Sequence, residues 1–357
     1  MIAKEAAEAF KAWAQDNHLL GHEFPVQLNL DQNRRDELFD TLRISAASES
    51  LLRSKHITSV AFNEEKCEVV VLVSRKLIKR DLETLPSQFG ENVSVRYLHG
   101  GTAQAGLPTS GLVHSAYVVA ANGHYSCGGS IYPARHVGAG TLGCLVQDGA
   151  GDLYGLTNNH VSGLCNYALV GEKILAPGHL DIEANGIDPF TIGYHSRALP
   201  MVSGVPDNVD VSNNSDAALI RIANPNAVTS KQGSIYDTPN TAAPIQSGQQ
   251  VEKIGRTTGH TTGHILAQVV GPFPVTYQTP SVGNQIAYFE PVFIVQGGAE
   301  AFSQPGDSGS LVVATIDGVR KAVGVVFAGD TQGLSYVLPL EPILTMLNVS
   351  LVSGHNS

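Results

Sequence analysis

Three short stretches of this chain carry side chains that could do chemistry together. Pro305-Gly-Asp-Ser-Gly-Ser310 sets Ser308 between two glycines and ahead of the apolar run Leu311-Val-Val-Ala314. Glycine admits backbone angles closed to other residues. Such a turn can aim the Ser308 hydroxyl outward while the N–H groups of Gly306 and Ser308 point at one spot, as an oxyanion formed during acyl transfer requires. A serine hydroxyl is a poor nucleophile at neutral pH and needs a base. Thr157-Asn-Asn-His-Val161 offers His160, just beyond the strand-like Leu153-Tyr-Gly-Leu156. The imidazole in turn needs a carboxylate that takes its second N–H and fixes the tautomer. Asp216 heads the apolar run Ala217-Ala-Leu-Ile220, where a carboxylate is costly to bury without a partner. Asp207 and Asp210 lie in a polar loop, and Asp181 and Asp188 lie beside Gly or Pro. These four read as solvated turn residues.

Chain order separates the ways of building such a triad. His160 precedes Asp216, which precedes Ser308. That is the chymotrypsin-type order, not the Asp-His-Ser or Ser-Asp-His orders of subtilisins and α/β-hydrolases. The spacing places His160 and Asp216 in one β unit and Ser308 in a second.

The elements that would hold these residues are mostly strands. From residue 140 onward, apolar runs of four to six residues recur between turn signals, at 141–146, 153–156, 217–222, 251–254, 265–270, 285–289, 292–296, 311–314, 322–327 and 335–338. So many short strands with almost no helix argue for antiparallel barrels or sandwiches. A last helix is expected over 341–347, with Ile343, Leu344 and Leu347 inward. The first hundred residues read differently. A helix is expected over 3–17, and one helix or two short ones over 31–52. Strands follow at 60–62 and 69–73, then a short helix over 77–85 and a strand at 93–97. The predicted organisation is a small α+β N-terminal domain at 1–105, a linker at 106–138 rich in Gly, Ser and Ala, and a double β-barrel at 139–350 with its C-terminal helix.

Composition excludes several classes of function. Of 357 residues only 15% are charged, against 43% hydrophobic, which argues against coiled coil and charge-driven disorder. A net charge of −10 with no basic cluster argues against a nucleic-acid partner. No apolar run is long enough for a membrane helix, so no membrane partner is expected. Lys4, Glu5, Glu8 and Lys11 interrupt the apolar stretch a secretory signal needs, and a cytoplasmic location is expected. There, Cys67, Cys127, Cys144 and Cys165 default to free thiols. No cofactor or metal is expected. His260 and His264 have the spacing of helical zinc ligands, but Thr261-Thr-Gly263 between them resists helix, and in a strand they stand about 13 Å apart.

The motifs resemble those of trypsin-like serine proteases. Thr157-Asn-Asn-His160 stands where that family has Thr-Ala-Ala-His, Ser215-Asp-Ala-Ala-Leu219 resembles its Asp-Ile-Ala-Leu element, and Gly306-Asp-Ser-Gly309 matches the nucleophile motif. Gly255-Arg-Thr-Thr-Gly259 resembles a turn of the bacterial streptogrisins. Gly140-Thr-Leu-Gly-Cys-Leu-Val146 and the run from Phe302 to Val312 look like the bacterial and plant trypsin-like proteases of the Narrow-leaf type, which also carry a small N-terminal domain. The resemblance implies two six-stranded barrels with the active site between them. It implies a serine endopeptidase acting through a covalent acyl-enzyme, with His160, Asp216 and Ser308 catalytic and the N–H groups of Gly306 and Ser308 as oxyanion hole. It places Phe302, six residues before the serine, at the base of the substrate pocket and Ala328 and Gly329 on its far wall. An uncharged P1 side chain follows, with Asp330 as the rival anchor for a basic one.

Departures from the pattern narrow what carries over. Val161 replaces the cysteine that follows the family's histidine, and a Cys144–Cys165 bridge stays open. Cys127-Gly-Gly-Ser130 resembles an animal trypsin motif but precedes the first expected barrel strand. Asp307, the residue that pairs with a freed N-terminus in animal trypsins, is expected to brace the Ser308 loop internally. The expected partner is a protein or peptide substrate. The N-terminal domain, by its separateness, is where self-association or a partner protein is expected. Two alternatives stand beside the peptidase: a latent peptide-binding or scaffold module of the same fold, and an esterase using the same triad.

Overall fold

A computed structural model describes residues 2–21, 31–106, 122–182, 188–204, 208–279 and 283–357. Helix is concentrated at the start of the chain. α1 (Ala3–Asp16) buries Ala6, Ala7, Phe10 and Ala14 on one face. α2 (Gln32–Leu42) starts at Asp31, whose side chain accepts from the Arg34 N–H, and α3 (Ala46–Lys55) is capped in the same way by Ser45. The stretch 31–52 is therefore two helices, parted at Arg43 with a left-handed φ of 46°. β1 (Ile57–Asn63) and β2 (Glu68–Val73) form a hairpin. α4 (Lys79–Thr84) and β3 (Gln88–Phe89) lead to β4 (Val93–His99), which lies parallel to β2.

This N-terminal unit is not set apart from the rest. β1 pairs antiparallel with a strand of the C-terminal barrel, Ala61 opposite Val269, so one sheet runs through both. The chain then forms a two-residue strand, β5 (Gln104–Ala105). Residues 125–133, read as linker from their small side chains, hold β6 (Tyr125–Cys127) and β7 (Ser130–Pro133). The small residues there make a tight turn between strands instead, with Gly128 at φ +84°.

The next strands are β8 (Gly140–Thr141), β9 (Cys144–Gln147), β10 (Leu153–Thr157), β11 (Lys173–Ala176), β12 (Phe190–Ala198) and β13 (Ala218–Ile222). They curl in the order β9-β10-β13-β12-β11-β7. Among the described residues no ladder joins β7 back to β9, so this is a half-barrel of six strands where a closed barrel was expected. β14 (Val228–Gln232) and β15 (Tyr236–Asp237) stack with β6 in a small separate sheet.

The second barrel is closed. β16 (Gln250–Gly255) and β17 (Gly259–Val269) are followed by an added hairpin, β18 (Phe273–Thr279) and β19 (Gly283–Phe289). β20 (Phe293–Gly297), β21 (Leu311–Ile316), β22 (Val319–Gly329) and β23 (Leu334–Pro339) complete it. The ring runs β16-β17-β20-β23-β22-β21 and returns to β16, every pair antiparallel. The consecutive apolar residues of β21 explain its place in the ring. Leu311 and Val313 join one core cluster and Val312 and Ala314 another, as alternation along a strand covered on both faces requires. α5 (Leu340–Leu347) buries Leu340, Ile343 and Leu347 and ends at Asn348, and β24 (Ser350–Leu351) adds to the edge of β9. No helix among the described residues is long and apolar enough to cross a membrane. All four cysteines carry free thiols.

Candidate active site

β10 and β13 are neighbours, with Thr157 opposite Ala218, so the residues just beyond β10 lie beside those just before β13. His160 sits in a π-helical turn, Asn159–Gly163, a winding frequent at functional sites. Asp216 Oδ2 lies 2.6 Å from His160 Nδ1, and Oδ1 accepts the His160 backbone N–H at 2.9 Å. Asn158 holds the Asp216 carbonyl at 2.6 Å. An ionised carboxylate only accepts, so Nδ1 carries the proton and Nε2 is left as the basic nitrogen. Asp216 is fully buried, and its donors offset the loss of water. One of those donors comes from the other barrel. Tyr277 Oη, on β18, donates to Asp216 Oδ2 at 3.0 Å with its ring 5.5 Å from the imidazole. Burial, reinforced by the Asp216 charge, pushes the Tyr277 phenol well above its usual range, which keeps it a donor.

Ser308 lies in the loop before β21, and glycines shape that loop: Gly306 and Gly309 have φ of +100° and +96°. A Cβ at Gly309 would come within 2.3 Å of the Thr141 carbonyl, so the close fit excludes any larger residue. The loop is tied to the half-barrel through Thr141, whose N–H donates to the Ser308 carbonyl and whose hydroxyl donates to the Gly306 carbonyl, both at 2.9 Å. Among the described residues, the N–H groups of Gly306 and Ser308 donate to no protein acceptor. Nor does a hydrogen bond join the Ser308 hydroxyl to the His160 ring, a bond that in many enzymes tightens only around substrate.

Asp307 is fully buried and surrounded by donors. The N–H groups of Thr257, Thr258 and Gln304 and the Thr258 hydroxyl reach it at 2.7–3.1 Å, and Lys253 Nζ stands 3.3 Å away. The turn Gly255-Arg-Thr-Thr-Gly259 is therefore a cradle for Asp307. Burial pulls the Lys253 amine below its usual value, and Asp307 opposes that fall. The next residue back, Arg256, crosses to the half-barrel and pairs with Asp181, Nε to Oδ2 at 2.8 Å. Asp181, expected as a solvated turn residue, is fully buried and also accepts from Ser130. The reason is its cationic partner 75 residues on, which no local signal announces. Asp210 caps a short turn at the surface and Asp188 is exposed, while Asp207 lies outside the described residues.

A cavity of about 380 Å³ opens beside Ser308, with Ala301, Ser303, Val326, Ala328 and Gly329 in its wall. Ala328 and Gly329, expected on the far wall of the substrate pocket, line this cavity. Phe302 does not: its side chain is fully buried in the core with Ile265, Val295 and Val312. An extended chain sends alternate side chains to opposite sides, so its neighbours Ala301 and Ser303 face the cavity instead. Asp330 also borders the cavity. Its carboxylate is taken up by the N–H groups of Gly101, Gln332 and Leu334 at 2.8–3.0 Å and by the Tyr336 hydroxyl.

A half-barrel and a closed barrel, with His160 and Asp216 on the first and Ser308 on the second, are the double-barrel layout of chymotrypsin-like proteins. Residues 226–338 match the family described as the Nal1 C-terminal domain. The chain is 27% identical over 220 residues to Protein NARROW LEAF 1 of Oryza sativa subsp. japonica, a match covering 56% of this chain and 35% of that one. These matches bear out the resemblance to the Narrow-leaf type read from the motifs. Among solved structures the chain is similar to Thermobifida fusca Protease A, with 17% identity, a TM-score of 0.40, and 64% of this chain and 98% of that one covered. It is also similar to Nocardiopsis Protease, with 20% identity, a TM-score of 0.40, and coverage of 63% and 97%.

Proposed function

We propose that this protein is a serine endopeptidase. Ser308 attacks the scissile carbonyl, His160 Nε2 takes its proton and passes it to the leaving amine, and Asp216 holds the ring and steadies the imidazolium. The carbonyl carbon becomes tetrahedral with its oxygen held by the N–H groups of Gly306 and Ser308, then collapses to an acyl-enzyme that water hydrolyses. The observation that carries this reading is the 2.6 Å bond between His160 Nδ1 and the buried Asp216. The unengaged N–H pair beside Ser308 supports it. The small side chains of the cavity wall, with Asp330 its charged member already saturated by internal donors, support an uncharged P1 residue.

A fluorophosphonate probe and a casein digest test the proposal together. Labelling at Ser308 and cutting of casein, both abolished in Ser308→Ala with the melting temperature kept, are the expected results. Hydrolysis of simple esters without any cut in protein would make it an esterase. No labelling and undiminished peptide binding would make it a module that holds peptides.

A further inference from the structure

β5 is a strand that the ring of the second barrel does not need. β5 lies between β18 and β22, parallel to the first with Gln104 opposite Thr276 and Ala105 opposite Tyr277, and antiparallel to the second with Gln104 opposite Gly329. The segment leading into it is anchored at both ends of the cavity. The Gly101 N–H donates to Asp330 at 2.8 Å, the Thr276 N–H donates to the Ala103 carbonyl at 3.0 Å, and Gly106 lies against Pro305 of the Ser308 loop. Ala103 and Ala105 are buried. Thr102, Gln104 and Gly106 share the cavity wall with Ser308.

We propose that the gap between β18 and β22 is the acceptor for an extended substrate peptide, and that residues 101–106 fill it in the resting protein and hold the site closed. The proposal rests on the peptidase reading and adds its regulation. Main-chain ladders to an open edge are sequence-tolerant, and alternate side chains then select the guest. An open gap here presents unpaired groups on both β18 and β22, which any extended chain can satisfy. The present occupant is short, with side chains no larger than glutamine. It contributes only a two-residue ladder, few enough bonds for a longer peptide to displace. The same strand pairs alongside Tyr277, with Ala105 opposite it, and Tyr277 donates to Asp216, so exchange of the occupant takes place next to the proposed triad.

The probe is a fluorescein-labelled hexapeptide Gly-Thr-Ala-Gln-Ala-Gly, the sequence of residues 101–106, and the background is Ser308→Ala so that nothing is cut. Gln104→Pro removes a ladder N–H, and Ala105→Asp puts a charge in a buried place. Each is expected to bind the probe at least tenfold more tightly than the parent, by fluorescence anisotropy. Equal binding in folded variants overturns the proposal. Should both variants fail to fold, amide exchange on the parent decides. Saturating probe should deprotect residues 101–106, and unchanged protection overturns the idea. In the Ser308-intact chain Gln104→Pro should cut extended peptides at least tenfold faster. A fluorophosphonate small enough to need no strand pairing separates the two readings. If it leaves Ser308 unlabelled in both forms the peptidase reading falls, whereas labelling in both with unaltered probe binding defeats the self-occupied gap alone.

Discussion

Asp216 and Asp307 are both fully buried carboxylates within the same site, yet they are built in opposite ways. Asp307 is met by an ammonium, three backbone N–H groups and a hydroxyl, all fixed parts of the second barrel. Its charge ends inside the protein. Asp216 is met by the His160 imidazole, and the second nitrogen of that ring has no partner among the described residues. Under the proposed mechanism its charge stays on the carboxylate and stabilises the imidazolium that forms when Nε2 takes a proton. A buried carboxylate saturated by internal donors reads as scaffold, whereas one that orients a group with a free nitrogen is placed to serve the proposed chemistry. The same test reads Asp181, clamped by Arg256 and Ser130, as scaffold between the barrels.

The largest expected effect separates the two carboxylates directly. Asp216→Asn keeps the shape but lets the amide favour the wrong imidazole tautomer, and the rate of peptide cleavage should fall about 10⁴-fold with the fold retained. A fall of less than tenfold would place Asp216 with Asp307 as scaffold and break the comparison. Next comes the ion pair. Lys253→Met leaves Asp307 buried without its counter-charge, which should cost about 3–5 kcal/mol of unfolding free energy by urea titration. Adding Asp307→Asn to it should restore part of that stability, and no restoration would mean that Lys253 acts through packing alone.

A smaller effect sharpens the contrast with a cation that has no carboxylate within 4 Å among the described residues. Lys11 donates to the Val270 carbonyl, and burial pulls its amine down to about 8, with Glu290 opposing. Below pH 8 both folded and unfolded chains carry the charge. Between pH 8 and the ordinary lysine value only the unfolded chain keeps its proton, so stability rises with pH across that window. Relative to Lys11→Met, the native chain should gain about 2 kcal/mol between pH 7 and 9.5. A difference that stays flat with pH would show Lys11 to be hydrated.

How much of this was legible in the sequence follows from where each signal lies. His160, Asp216 and Ser308 stand in local motifs next to strand ends, so their types and neighbours announced them. The ring of the second barrel was legible because its strands are unbroken apolar runs such as Leu311-Val-Val-Ala314. Asp181 was misread because its partner lies 75 residues away, and Phe302 because a one-residue change of phase along an extended chain moves a side chain from cavity to core. Lys253 did carry a signal, a lysine set between the apolar residues Val251 and Ile254. The pairing of β5 carried none. Gly, Ala, Thr and Gln read as loop, and only the open edges on either side make them a strand.

Tyr277 gives the smallest expected effect and bears on the comparison most finely. Its hydroxyl is one of two side-chain donors on Asp216 Oδ2, the other being His160 Nδ1. Tyr277→Phe removes that donor and leaves the ring, its packing against Phe289 and the β18 backbone in place. A single hydrogen bond contributes about 1 kcal/mol net, so a loss confined to the ground-state fold would lower the melting temperature and leave the cleavage rate alone. If Tyr277 instead holds Asp216 in line with the imidazole, kcat falls about five- to tenfold while KM and the melting temperature stay put. That split is the expected result, because the carboxylate keeps its bonds to the His160 backbone N–H and ring and stays folded in place. A fall in stability with unchanged kcat would move Tyr277, and with it this side of Asp216, into the scaffold that Asp307 exemplifies.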